Sequence, residues 1–128
     1  MRIGVDLMSV SRFARVAAHR RYRTVVFTAA ELAEASLLAE PRFTERLAGR
    51  FCAKEAVAKA LGRGFGQGLS WRDIEVTADS FGAPTVALHR GARRIADEAG
   101  VGTVELSLTH QNDLVVCVAT AIPEERPT

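Results

Sequence analysis

The stretch from Phe43 to Leu61, FTERLAGRFCAKEAVAKAL, lies between Pro41 and Gly62. Proline interrupts a helix from its N-terminal side, and glycine readily takes the left-handed conformation that ends one. The spacing predicts a long, unbroken helix between them. Such a helix needs a sheet or other helices to cover its apolar flank. The flanking chain offers strands. In RIGVDL, Ile3, Val5 and Leu7 alternate with Gly4 and Asp6, which predicts a buried strand with Ile3, Val5 and Leu7 on one face and Gly4 and Asp6 on the other.

The other segments follow from local signals. Ser11 is the predicted N-cap of a helix over residues 12–22, with Phe13, Val16 and Ala17 as its apolar stripe and Arg12, Arg15, His19 and Arg23 on an adjacent face. Thr28 followed by Glu31 is a capping box for the next helix. GRGFGQG is a glycine-rich loop. SWRDIEVTAD and TVALHR are predicted strands around the turn SFGAP, and GARRIADEAG is a helix closed by Gly100. TVELSLTH and LVVCVATAI form a hairpin through QND, and the tail from residue 123 is expected to be disordered. The order β-α-α-α-β-β-α-β-β, without repeats or a linker, predicts one α+β domain over residues 1–128.

Composition excludes several classes. No apolar run approaches the roughly 18–20 residues that span a bilayer, so no membrane association is expected and a cytoplasmic location is. Cys52 and Cys117 have no CxxC partner, which argues against zinc and against a disulfide framework; both are expected to be small buried residues. The net charge of +2 does not favour nucleic acid as a partner. The charge is nevertheless uneven: between Asp6 and Glu31 there is no acid, while Arg12, Arg15, Arg20, Arg21 and Arg23 all fall there. That block predicts a positive docking surface.

Lys54 and Lys59 are the only lysines among 17 basic residues, and they flank Glu55. Glu55 and Lys59, four apart, share a helix face. They fit either a surface ion pair or a site, and the small or apolar neighbours Ala48, Phe51, Cys52 and Gly62 favour a site. Lys54 points roughly 100° away from Glu55, toward a subunit contact or a supporting ion pair. Asp6 fits either a cap for the following segment or, with Glu55, a Mg²⁺ site that leaves positions for phosphate oxygens. His110 fits either a surface histidine or a residue closing the polar face of Ser107 and Thr109. GRGFGQG matches neither a P-loop nor a Rossmann fingerprint, and no GxSxG or HExxH is present. The residues alone therefore point to a metal-assisted phosphate site beside an arginine-lined surface. A phosphate- or RNA-binding module and a metal-dependent phosphohydrolase remain alternatives.

IGVDLMSVSRF, LAGRFCAKEAVAKALGRGFG, LSWRDIEV, GAP and LSLTH resemble, in order and spacing, the holo-acyl-carrier-protein synthase group of 4′-phosphopantetheinyl transferases. The resemblance covers nearly the whole chain, and its most specific parts are G-[IV]-D and FxxKExxxKA. It implies that family's fold, an antiparallel sheet packed on a long helix, here as a single half-length unit. It implies transfer of the 4′-phosphopantetheine arm of coenzyme A to a serine of an apo acyl carrier protein, with release of 3′,5′-ADP. On this resemblance Asp6 and Glu55 hold Mg²⁺, Lys59 contacts the pyrophosphate, and Asp6, Glu55, Lys59 and His110 form the catalytic set. Glu55 or a metal-bound water takes the serine proton. Arg42, Arg50, Lys59, Gly62 and His110 bind coenzyme A, and Arg12, Arg15, Arg20 and Arg23 dock an acidic, helical carrier. A homotrimer with sites between subunits is expected. The carrier belongs by default to fatty-acid synthesis, with a polyketide or other specialised carrier left open. One departure is Ala83, where the family usually has a basic residue before the proline.

Overall fold

The computed structural model describes residues 2–125. The elements run β1 (Arg2–Ser9), α1 (Val10–Val16), α2 (Arg20–Val26), α3 (Ala29–Ser36), α4 (Arg42–Leu61), a 3-10 turn (Trp71–Asp73), β2 (Ile74–Ala78), β3 (Pro84–Leu88), α5 (Arg90–Glu98), β4 (Val101–Gln111) and β5 (Leu114–Pro123). The α+β class is as expected. One antiparallel sheet has the order β1-β5-β4, and β2 and β3 form a separate hairpin. Of the predicted tail, Pro123 closes β5 and the Glu124 amide donates to Gly100 O at 2.8 Å. Residues 126–128 lie outside the described residues.

Helix α4 forms where its signals place it. Glu40 caps its start, its carboxylate accepting from the amide (2.9 Å) and hydroxyl (2.7 Å) of Thr44. Gly62 ends it at φ 77°, a left-handed cap that side chains resist. The helix lies across the inner face of the three-stranded sheet. There Cys52, Ala53, Ala56, Val57 and Ala60 meet Val115, Cys117, Ala119 and Ala121. Both cysteines are fully buried, as expected.

Packing decides which of the two β1 faces is buried. Cross-strand pairing of Ile3 with Thr120, Val5 with Val118 and Leu7 with Val116 puts these residues on the outer face, where Ile3, Val5 and Leu7 are 67%, 53% and 61% exposed. Gly4, Asp6 and Met8 face α4 instead. Gly4 decides this, since a Cβ there would overlap the Ala56 carbonyl oxygen. The strand can press so close to the helix only on its glycine side.

The helix expected over residues 12–22 is broken between Ala17 and His19. Each half docks its own anchors, Phe13 from α1 with its C-cap Ala17 and Val26 from α2 with Phe27, against Leu47 and Ala48 at one end of α4. The Arg23 Nε donates to the freed Ala17 carbonyl at 3.1 Å. Ser9, not Ser11, is the N-cap, its hydroxyl accepting from the Arg12 amide at 3.2 Å. Residues 71–73, expected as strand, form a 3-10 turn that Ser70 and Asp73 cap reciprocally.

Lys54 is fully buried and has all three of its N–H bonds engaged. Its ammonium meets Glu31 Oε1 at 2.9 Å, Trp71 O at 3.0 Å and Ile74 O. Glu31 is buried as well, and it also accepts from the amides of Thr28 and Val76, both at 2.8 Å. One ion pair thus joins α3, α4, the 3-10 turn and β2, which makes Lys54 a supporting ion pair. Burial holds its ammonium below the usual lysine range, against the pull of Glu31. Removing one partner strands the other charge in the core, so Lys54→Ala is expected to cost about 3–5 kcal/mol in a urea titration. The double change Lys54→Met with Glu31→Leu is expected to cost less. A loss for Lys54→Ala below about 1 kcal/mol, as for an exposed pair, would contradict this assignment.

Candidate active site

Three of the sequence-predicted residues come together where β1 crosses α4. Gly4 brings the strand against the helix, and two residues on Asp6 faces the same helix side as Glu55 and Lys59. The Lys59 ammonium bonds Asp6 Oδ1 at 3.1 Å and Val5 O at 3.0 Å. Lys59 therefore pairs with Asp6 across the strand, not with Glu55 along its own helix. Glu55 has no ion-pair partner among the described residues. Burial first, and then the Asp6 charge, push its carboxyl above the usual carboxylate range, against the opposing effect of Lys59. Two carboxylates thus share a half-buried cleft with one cation between strand and helix.

That cleft has a volume of about 530 Å³. Besides Asp6 and Glu55, its walls include Arg12, Tyr22, Phe51 and Val16. Tyr22 was not singled out in the sequence, although it is the chain's only tyrosine. Its ring packs 6.4 Å from Phe51, and burial followed by the Glu55 charge raises its hydroxyl above the usual range. No sequence signal would have found it, because it reaches the cleft only through the break between α1 and α2.

Arg42, Arg50 and His110 meet in a different pocket of about 330 Å³, on the other flank of α4. Strand register explains the separation. Asp6 pairs with Cys117, which pairs with Leu108, and His110 pairs with Val115. Asp6 and His110 therefore share the inner face but stand on the two outer strands, with α4 lying between them. This corrects the expectation for His110, which lies with Leu106 and Leu108 and not with Ser107 and Thr109. Arg46 joins this pocket although the sequence did not single it out. Arg50 is buried, and its Nε has no hydrogen-bond partner among the described residues. Its nearest acid, Glu34, is 3.9 Å away and also faces Arg46 at 3.8 Å. Burial, and then the Arg46 charge, hold the Arg50 guanidinium below its usual range. Glu45 also lines the pocket, so Arg42, Arg46 and Arg50 face two acids, and the unpartnered Arg50 Nε still suits an anion. Gly62 lies apart from both, in a third pocket with Arg2 and Arg63.

Of the arginines expected to dock a partner, Arg12, Arg15 and Arg20 are exposed, and only Arg12 reaches the Asp6–Glu55 cleft. The break after α1 removes the single helical face they were expected to share. Arg23 folds back, its guanidinium 5.1 Å from the centre of the Phe43 ring. Among the described residues no helix is long and apolar enough to cross a membrane, and no group of three or more His, Cys, Asp or Glu side chains is poised to hold a metal. Asp6 and Glu55 form a two-carboxylate set.

Residues 2–119 match the 4′-phosphopantetheinyl transferase superfamily. The holo-acyl-carrier-protein synthase of Moorella thermoacetica is 46% identical over 91% of this chain and 89% of its own length. The crystal structure of the Neisseria meningitidis holo-acyl-carrier-protein synthase superposes with a TM-score of 0.84 at 31% identity, covering 94% of this chain and 96% of that one. A Bacillus anthracis holo-acyl-carrier-protein synthase, solved with coenzyme A (3′,5′-ADP), superposes with a TM-score of 0.80 at 30% identity, covering 97% and 96%.

The raised Glu55 pKa carries a sign for stability. A carboxyl whose pKa is higher in the fold than in the unfolded chain binds more protons when folded, so ionising it as pH rises costs stability. Glu55→Gln removes that cost. In the presence of a chelator, the variant is expected to melt at or above the parent temperature at neutral pH. The advantage should vanish near about pH 4, where the unfolded glutamate is protonated too. Thermal unfolding at the two pH values checks this. A variant less stable than the parent at neutral pH would contradict it.

Proposed function

The chain belongs to the 4′-phosphopantetheinyl transferase superfamily, and we propose that it is a holo-acyl-carrier-protein synthase, moving the 4′-phosphopantetheine arm of coenzyme A onto a serine of an apo acyl carrier protein and releasing 3′,5′-ADP. The observation that carries this assignment is the meeting of Asp6 and Glu55 in one cleft beside Arg12, with Lys59 bonded to Asp6. The nucleophile is the carrier's serine hydroxyl. A new P–O bond forms to its oxygen as the bond to the 3′,5′-ADP oxygen breaks, and its proton must leave. Phosphoryl transfer of this kind is catalysed largely by positioning and charge neutralisation.

Asp6 and Glu55 suit Mg²⁺. They offer hard carboxylate oxygens, face each other as like charges in a half-buried cleft, and number two, which leaves the coordination to be completed by phosphate oxygens and water. Bound there, Mg²⁺ would neutralise charge on the pyrophosphate. Lys59, with its side chain half exposed, is within reach to contact the pyrophosphate from the same side. Either Glu55 or a water held at the metal would accept the serine proton. Arg42, Arg50 and His110, with Arg46, form the cationic pocket for the remaining coenzyme A phosphates. Arg12, Arg15 and Arg20 form the surface for an acidic carrier, with Arg12 at the mouth of the cleft.

Within one chain these two halves lie on opposite flanks of α4. A homotrimer that sets the Asp6–Glu55 cleft of one subunit against the arginine pocket of the next would complete the site. The outer sheet face supports that assembly: Ile3, Val5, Leu7, Leu114 and Val118 are exposed together on it, an unusually apolar face for a lone subunit.

The assay is direct. Incubation with coenzyme A, Mg²⁺ and an apo acyl carrier protein, followed by intact mass spectrometry, is expected to show the carrier heavier by one phosphopantetheine arm. No gain with any of several acidic carriers would refute the assignment, and nucleotide release without a carrier would mark a hydrolase.

A further inference from the structure

The turn between β4 and β5 places an acid against the start of α1, next to Arg12 in the chain. Asn112 takes a left-handed φ of 54°, and the next residue, Asp113, reaches away from its own hairpin to the start of α1. Its Oδ1 accepts from the Ser11 amide at 2.9 Å. Its Oδ2 accepts from the hydroxyls of Ser9 and Ser11, both at 2.7 Å. Its backbone carbonyl accepts from the Val10 amide at 2.8 Å. Ser9 Oγ in turn accepts from the Arg12 amide. Four hydrogen bonds from one residue thus hold the three residues before Arg12, and the hydroxyls keep its carboxyl below the usual range.

An exposed acid against the residues that precede Arg12 is unfavourable for docking an acidic partner, so its presence calls for another role. Helix α1 has only seven residues, too few to sustain itself. Phe13 anchors one of its faces in the core. Val10 packs on the same cluster and Ser9 caps the turn, but it is Asp113 that ties Ser9, Val10 and Ser11 to the β4–β5 hairpin, and that turn carries Arg12 to the mouth of the Asp6–Glu55 cleft.

We propose that Asp113 is a positioning residue for carrier docking, clasping the first turn of α1 so that Arg12 faces the cleft. The inference rests on the carrier-modifying activity proposed above. It separates Asp113 from the residues that touch substrate, because Asp113 acts through Ser9, Ser11 and Arg12.

Steady-state kinetics of Asp113→Ala, Arg12→Ala and the double variant test it. Loss of a capping acceptor is expected to raise the carrier KM roughly fivefold, while the coenzyme A KM and the turnover at saturating carrier stay within about twofold. The double variant is expected to show less than the product of the two single effects, because a displaced Arg12 has little left to lose. Asp113→Asn keeps one acceptor oxygen and is expected to show a smaller rise in the carrier KM. It also serves in place of the alanine variant should that one fail to fold. An unchanged carrier KM, equal losses in both KM values, or fully multiplicative effects would overturn the inference. A parent protein that modifies no carrier would overturn the activity on which it rests, whereas an active parent with unchanged variant kinetics overturns the inference alone.

Discussion

Strand β1 meets helix α4 backbone to backbone at Gly4, with no side chain between them. Any Cβ at that position would overlap the Ala56 carbonyl. The contact sets the helix across the sheet, turns Asp6 inward to Lys59 and Glu55, and leaves Ile3, Val5 and Leu7 facing out. The charged cleft and the exposed apolar sheet face are therefore two sides of the same strand alternation. A strand buried through Ile3, Val5 and Leu7 would have lost both.

On the opposite flank α4 is held by charge. The FxxKExxxKA run spreads its polar residues around the helix. Lys54 goes to the core pair with Glu31, Glu55 and Lys59 to the cleft, and Arg50, one turn earlier, to the second pocket with His110. Burying Lys54 is tolerable because every one of its N–H bonds has an acceptor. The adjacent Glu55 lacks such partners, and burial and its Asp6 neighbour disfavour its ionised form. A residue with every hydrogen bond satisfied and one without an ion-pair partner thus sit side by side on one helix.

Much of this was legible in the sequence, for identifiable reasons. Pro41, Gly62 and the Thr28–Glu31 capping box are local signals, and the helix ends they mark appear where expected. Spacing put Glu55 and Lys59 on one face, and G-[IV]-D with FxxKExxxKA identified the family. Tertiary effects were not legible. Alternation in β1 gave two faces but not which one is buried, since that depends on Gly4 meeting a helix more than fifty positions away. The helix over residues 12–22 broke because its halves have separate anchors in the core. Asp113 read as a turn residue because its partners are about a hundred positions distant.

We propose that each reaction centre joins the Asp6–Glu55 cleft of one subunit to the arginine–histidine pocket of another. It is tested most directly by subunit mixing. Glu55→Gln and His110→Ala proteins are each expected to be impaired in transferring phosphopantetheine to a carrier. Dissociated, mixed and reassembled, they should recover activity well above that of either alone, because some interfaces then pair an intact cleft with an intact pocket. A mixture no more active than the sum of its two components would contradict the claim and place the whole site within one chain.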